Sequence, residues 1–550
     1  MCLDIVFTPL NEGFAYANNA HSILKKRRSV GLILNTARQE NSGFTPWYGC
    51  CVKLYGLDFL IELPGSSEDI CSMIHYSNYI NGLFVESPHL NTITVNNPAT
   101  GEAISTIPES SPEEVEAAIA AAEAAQPGWA ALPAVARGKH LHVLADKIRG
   151  QVEPLARVIT QEQGKTLGLA RVEVNFTADY LDYMAEWGRR IEGEIIESDR
   201  PKENIFLFHK PIGVVAGILP WNFPFFLIAR KLAPALITGN AIVLKPSEET
   251  PNNAFEFCKI LAQTNIPAGL VNLISGYGAT AGNALTESSK VGLISFTGSV
   301  DTGSRIMANA AQHITRVNLE LGGKAPAIVT ANADLDLAAT AIQASRVINS
   351  GQVCNCAERI YVQRSVADVF TAKLVEKMQA ARFGNPLQDE TVDYGPMINK
   401  AGFDKIVSLL DSAVSDGAQI LCGGQRGADE SGYYLEPTVV GACTQQMDIV
   451  NQEIFGPVIP VVIFDEIEEA ITMANDTEYG LTSSVFSNDI NEAMNLVEAL
   501  NFGETYINRE HFEAMQGYHA GWRKSGIGGA DGKHGLYEFM QTQVVYLQRT

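Results

Sequence analysis

Cys354 and Glu320 are the residues of this chain best set to do chemistry. Cys354 lies in a turn of small residues, Ser350-Gly351-Gln352-Val353-Cys354-Asn355-Cys356-Ala357. A thiol there can attack a carbonyl carbon. Glu320, in Leu319-Glu320-Leu321-Gly322-Gly323-Lys324, can take a proton from the water that later releases an acyl product. Taken alone, such a cysteine is more often a small buried hydrophobe, and such a glutamate more often solvated or salt-bridged. Cys356 makes a Cys-x-Cys pair with Cys354, but no further Cys or His stands at a spacing that completes a metal site, so no metal is expected. Asn222, in Pro220-Trp221-Asn222-Phe223-Pro224, offers an amide donor. With the backbone N–H of Cys354 it could hold a developing oxyanion, a donor whose loss costs about 3 kcal/mol of barrier.

Elements must position these groups. The apolar runs Val214–Leu219, Ala241–Leu244, Leu270–Ile274 and Val291–Phe296 are short, rich in Val, Ile and Leu, and lack polar alternation. They read as strands buried on both faces. Phe226–Leu236 and Asn253–Thr264 read as helices between them, giving a βαβ rhythm and a parallel sheet. Such sheets bind ligands beyond the carboxyl ends of their strands. Asn222 follows the first strand; Lys245, Ser247 and Glu248 follow the second; Gly298 and Ser299 follow the fourth. An acid after a strand can bond a nucleotide ribose, and Gly298-Ser299 at a helix start makes a phosphate site. The turn Gly276–Gly282 is rich in glycine but misses the Gly-x-Gly-x-x-Gly spacing. A second α/β series begins near Ala325 and runs through Arg359–Gln363, Val458–Phe464, Ser483–Phe486 and Glu504–Asn508. Earlier, Asn97–Glu102 reads as a turn between strands. Ser111-Pro112-Glu113-Glu114 reads as a capping box that opens a helix, ended by Pro127-Gly128. Tyr537–Leu547 alternates like an edge strand, which invites pairing.

A chain of 550 residues exceeds one core and predicts two or three domains. With 46% hydrophobic and 19% charged residues it is globular in composition. A net charge of -22 opposes binding to nucleic acid or to anionic lipid, and no apolar run is long enough to span a bilayer. Nine scattered cysteines suit a reducing, cytoplasmic compartment. Residues 1–72 read differently, with four of those cysteines and the basic run Lys25-Lys26-Arg27-Arg28. The apolar stretch after that run is too short for a signal peptide. This segment is expected to be a poorly ordered extension outside the fold.

Pro220–Pro224, Lys245-Pro246-Ser247-Glu248, Glu320-Leu321-Gly322-Gly323, Gly351–Cys354 and Glu453-Ile454-Phe455-Gly456-Pro457 stand in the order and spacing of the aldehyde dehydrogenase superfamily, which residues 74–550 resemble. The resemblance implies that family's α/β fold. A Rossmann-like NAD domain would span 73–194 and 217–319, and a catalytic α/β domain 320–533. A small oligomerisation β-domain would span 195–216 and 534–550. It selects Cys354, directly after Gly-Gln-x, as nucleophile, with Glu320 as base and Asn222 as oxyanion donor. It assigns the cofactor to Pro220, Trp221, Lys245, Ser247, Glu248, Gly298, Ser299, Leu321, Glu453 and Phe455. NAD is expected over NADP, because the Glu248 carboxylate would repel a 2′-phosphate. Within the superfamily, the stretches Gly217–Arg230, Ser345–Glu358, Phe502–Arg509 and Gly517–Gly535 resemble enzymes that oxidise small hydroxyaldehydes, lactaldehyde to lactate and glycolaldehyde to glycolate. That likeness implies Arg230, Asn355, Glu513 and His519 as substrate positions and a homotetramer. Succinate semialdehyde as substrate, coenzyme A acylation and a non-catalytic relative are the rival readings.

Overall fold

The computed structural model describes residues 73–87, 91–429 and 431–550. Before residue 73 it describes only the strands Thr8–Pro9, Leu34–Thr36, Gly49–Leu54 and Leu57–Glu62, which pair antiparallel. Two compact units result, Met1–Ser72 and Met73–Thr550. The expected poor order of residues 1–72 otherwise lies outside the described residues.

In the second unit, five parallel strands carry the first sheet: β1 (Val214–Ile218), β2 (Ala241–Lys245), β3 (Val271–Leu273), β4 (Val291–Thr297) and β5 (Arg316–Glu320). Their order is β5-β4-β1-β2-β3, so the winding reverses between β1 and β4, where an open α/β sheet leaves a crevice. All five residues of β1 and of β2 are buried, as their unbroken apolar runs require. Helix α1 (Phe226–Thr238) crosses from β1 to β2, is buried along its whole length, and ends on the left-handed Gly239. Helix α2 (Asn252–Leu261) crosses from β2 to β3, and α3 (Val300–Ala311) from β4 to β5. Gly526–Ile527 returns from far along the chain to pair with β5.

The second sheet contains β6 (Ala325–Val329), β7 (Ala357–Gln363), β8 (Thr438–Cys443), β9 (Val458–Phe464), β10 (Thr482–Phe486) and β11 (Glu504–Ile507). Its order is Gln419–Cys422, then β8-β9-β7-β6-β10-β11. The chain passes from one sheet to the other between Glu320 and Ala325, which puts the proposed base at the seam. A third, three-stranded sheet joins Glu194–Glu197, Glu203–Pro211 and Met540–Gln548. The last strand is an edge, and Tyr546 (66%) and Leu547 (48%) lie exposed on it.

Three local expectations change. The helix opened at Ser111 runs through Pro127 to Ala130. Trp129, buried, donates its indole N–H to Leu236 O at 2.8 Å, so packing holds the turn that proline would end. Ser111 caps the helix, accepting from Glu114 N at 3.3 Å, but the Glu114 carboxylate accepts from Asn78 instead of closing the box. The C-terminal strand starts at Met540, because Tyr537 belongs to the short helix Gly532–Glu538.

Candidate active site

A cavity of about 370 Å³ opens at the crevice and is lined from both sheets. Asn222 after β1, Gly298 and Ser299 after β4, and Glu320 and Leu321 at the end of β5 meet Cys354, Asn355, Glu453, Phe455 and Glu513 there.

The nucleophile segment is held in an uncommon backbone. Asn349 (φ 50°), Ser350 (φ 60°) and Gly351 (φ 72°) are three successive left-handed residues, a conformation that costs on the order of 1–3 kcal/mol for each non-glycine. Only glycine fits at 351, where a Cβ would stand 2.3 Å from Gly456 O. Hydrogen bonds compensate. Ser350 Oγ donates to Gly395 O at 2.8 Å, Asn349 Nδ2 to Asn222 O at 3.0 Å, and Ile398 N to Gln352 Oε1 at 2.9 Å. Cys354 emerges half-buried into the cavity. Cys356, two residues on, is fully buried and donates to Val353 O; burial pushes its thiol up to about 12. Of the pair, only Cys354 is placed to react.

Asn222 is buried beside this segment. Its Nδ2 donates one hydrogen to Gln352 O at 3.0 Å, which leaves the second donor of the amide. Its own carbonyl accepts from the buried Lys165 Nζ at 2.7 Å, and Lys165 is paired with Glu173 at 2.6 Å. Glu173 in turn accepts from Phe225 N and Phe226 N, fixing the start of α1. Lys165 and Glu173 were not signalled by any motif.

Glu320 accepts from Thr297 Oγ1 at 2.9 Å, its neighbour across the β4–β5 ladder. The Thr297 hydroxyl accepts from Lys231 Nζ at 2.8 Å. Burial alone would raise the Glu320 pKa; Lys231 first, then Arg230 and His519, reverse this and hold it below the usual carboxylate value. The carboxylate is therefore ionised and able to accept a proton at neutral pH.

Three of the predicted substrate residues, Arg230, Glu513 and Asn355, are joined by hydrogen bonds. Arg230 donates to Glu513 Oε1 (2.9 Å), and Asn355 donates to Glu513 Oε2 (2.6 Å). Burial would raise Glu513, but Arg230 and then His519 bring it down to about 2. His519 shares a 2.6 Å hydrogen bond with Glu504 at the start of β11. Burial lowers the His519 pKa, yet the Glu504 carboxylate first, then the nearby Cys354 thiol, leave it well above its ordinary value. His519 itself does not line the cavity. Asp531, bonded to Arg230, Glu504, bonded to His519, and Lys231, bonded to Thr297 beside Glu320, were not singled out in the sequence. Their partners lie far away in the chain, beyond the reach of local patterns.

A dinucleotide suits the other residues. Ser299 caps α3, accepting from Thr302 N, and Gly298 lets the chain turn beside Phe296, where a Cβ would stand 2.4 Å from the ring. At Gly322 a Cβ would strike the Glu453 carboxylate at 2.7 Å. Burial, then the nearby Glu358, pushes Glu453 up to about 7. The Trp221 and Phe455 rings meet edge to face at 5.5 Å. Pro220 and Trp221 line the cavity, whereas Lys245, Ser247 and Glu248 do not. Lys245 ends β2 and Ser247 and Glu248 follow it; Lys245 is buried and 3.8 Å from Glu248. The glycine-rich turn closes over this lysine, with Gly282 at its side chain.

Fold and cavity together define an α/β oxidoreductase with a thiol at the seam of its two sheets. The chain belongs to the aldehyde dehydrogenase family, whose model matches residues 84–545. It is 56% identical over 475 residues to the lactaldehyde dehydrogenase of Escherichia coli K12, covering 86% of this chain and 99% of that one. The crystal structure of E. coli lactaldehyde dehydrogenase superposes with a TM-score of 0.86, covering 87% of this chain and all of that one. A 3,6-anhydro-L-galactose dehydrogenase in complex with NAP is 38% identical (TM-score 0.84, 86% of this chain and 100% of that one). A Staphylococcus aureus betaine aldehyde dehydrogenase in complex with NAD+ is also 38% identical (TM-score 0.84, 86% and 94%).

Proposed function

We propose that this chain oxidises a small hydroxyaldehyde, L-lactaldehyde to L-lactate or glycolaldehyde to glycolate, with NAD. One observation carries the reading: a half-buried thiol, an ionised carboxylate and a hydrogen-bonding pair, Asn355 with Glu513, meet in one cavity. The 56% identity to a lactaldehyde dehydrogenase supports it.

The thiolate of Cys354 adds to the aldehyde carbon, and the oxygen turns toward Asn222 Nδ2 and the Cys354 N–H. Those donors stabilise the charge where it develops. NAD, when bound, supplies the acceptor for the hydride lost from that carbon. The acyl group is then a thioester on Cys354. Glu320 takes a proton from water as the water attacks it, the carboxylic acid leaves and the thiol is restored. Glu453 and Phe455 would hold the nicotinamide ribose and ring, with Pro220, Trp221 and Leu321 beside them in the cavity lining, and Gly298 and Ser299 would hold the phosphates. Lys245, Ser247 and Glu248 take the adenosine ribose. Lys245 is already paired with Glu248, so little positive charge is left for a 2′-phosphate, which favours NAD over NADP. The exposed edge Met540–Gln548 favours pairing with a second subunit in a homotetramer. Among the described residues no helix is long and apolar enough to cross a membrane; the scattered cysteines favour the cytoplasm.

The test is NADH formation with L-lactaldehyde, glycolaldehyde and succinate semialdehyde in parallel, with Cys354→Ala as control. Higher kcat/KM on the two hydroxyaldehydes, absent in the variant, is expected. A preference for succinate semialdehyde would overturn the substrate, and turnover by Cys354→Ala would overturn the nucleophile.

A further inference from the structure

Asp531 takes no part in the reading above. It follows Ala530, whose N–H and C=O pair with those of His519 at 2.8 and 2.9 Å, so one rung places both side chains beside the substrate residues. Asp531 is 1% exposed and stands at φ 69°, ψ 164°, a backbone conformation that side-chain-bearing residues rarely adopt. It grips Arg230 as a fork: Nε donates to Oδ1 at 3.1 Å and Nη2 to Oδ2 at 2.6 Å. The same Nη2 donates to Glu513, and the guanidinium lies 4.8 Å over the Phe226 ring. Nε and Nη2 are thus engaged, and one cation faces two carboxylates.

That arrangement decides what Arg230 can recognise. A lone buried guanidinium in an aldehyde pocket would attract a substrate carboxylate in a bidentate pair. Here such a carboxylate would be the third anion on that guanidinium, while the neighbouring cations Lys231 and His519 are already engaged with Thr297 and Glu504. A neutral hydroxyl meets no such repulsion and still finds donors and acceptors on Asn355 and Glu513. Burial alone would lower the Arg230 pKa; Asp531 first and Glu513 next more than reverse this, so the guanidinium stays charged inside the network.

We propose that Asp531 is a positioning residue that occupies and neutralises Arg230, and so sets the pocket's preference for uncharged hydroxyaldehydes over aldehydes bearing a carboxylate. The proposal rests on the hydroxyaldehyde reading and names the residue that enforces it.

Asp531→Asn is the informative variant, because asparagine is nearly isosteric with aspartate, so it removes the charge without asking more of the backbone at φ 69°, ψ 164°. With the full chain and NAD, kcat/KM is measured on glycolaldehyde and on succinate semialdehyde for wild type, Asp531→Asn and Asp531→Asn with Arg230→Gln. The ratio of semialdehyde to glycolaldehyde is expected to rise roughly tenfold or more in the single variant, through KM on the semialdehyde. It should fall back in the double variant. An unchanged ratio, with kcat falling equally on both substrates, would make Asp531 merely structural and overturn the proposal. If Asp531→Asn does not fold, inhibition of the wild type against glycolaldehyde decides instead. Neutral succinamide should compete better than succinate, and the reverse order would overturn the proposal. A wild type that prefers succinate semialdehyde overturns the hydroxyaldehyde reading by itself, before any variant is compared.

Discussion

Glu320 and Glu453 stand on two walls of one cavity, and their protonation is driven in opposite directions. Burial pushes both carboxyls up. At Glu320 three cations, Lys231, Arg230 and His519, overturn that push, and Thr297 donates a hydrogen bond. At Glu453 the neighbour is another carboxylate, Glu358, and the hydrogen bond comes from Gly323 N at 2.9 Å, so its pKa rises to about 7. Depth in the protein does not choose between the two states; the charge of the neighbours does. The first carboxylate is kept ready to take a proton. The second titrates near neutrality, where the ribose contact proposed for it would become sensitive to pH.

The largest effect should separate the two walls. Glu320→Gln is expected to lower kcat roughly 10²–10⁴-fold with little change in the KM for NAD. Glu453→Gln is expected to act mainly on the KM for NAD. Steady-state kinetics on both variants checks this, and a common phenotype would break the comparison. Next comes Glu358→Gln. Glu358 pairs with Lys324 at 3.0 Å and Arg346 at 2.8 Å and accepts from Ile454 N and Phe455 N. Removing its charge leaves two buried cations short of an anion, a loss of about 3–5 kcal/mol that a urea titration would read. A third effect follows from pH. Because the pKa of Glu453 is raised, it is protonated below about 7, so the wild-type KM for NAD should rise as pH falls through that value. Glu453→Gln should flatten the profile; an equal pH dependence in the variant would assign it elsewhere. The smallest effect concerns Lys231. Lys231→Met removes the first cation acting on Glu320, so the acid limb of kcat should move to higher pH. A limb that stays in place would show that Arg230 and His519 suffice.

Much of this was legible in the sequence, because the relevant signals are local. The buried strands β1, β2 and β4 announce themselves as unbroken apolar runs, and the groups that follow them in the chain, Asn222 and Gly298-Ser299, reach the crevice for that topological reason. What stayed hidden depends on long-range contact. Arg230 and Asp531 are 301 positions apart, and no periodicity links them. The sequence placed Arg230 among the substrate positions but carried no sign of the Asp531 carboxylate that holds it. Lys231 sat unmarked inside an apolar helix pattern, although a charge on a helix buried all round requires a partner. Pro127 signalled a helix end that Trp129 packing overrides.

A covalent step at Cys354 that Glu320 resolves is central to the proposed reaction. Its most direct test is to mix Glu320→Gln with NAD and glycolaldehyde, quench with acid, and map the modified peptide by mass spectrometry. An acyl group on Cys354, accompanied by one rapid equivalent of NADH per active site and then slow turnover, is the predicted result. No acyl group on Cys354, or steady turnover at the wild-type rate, would contradict it.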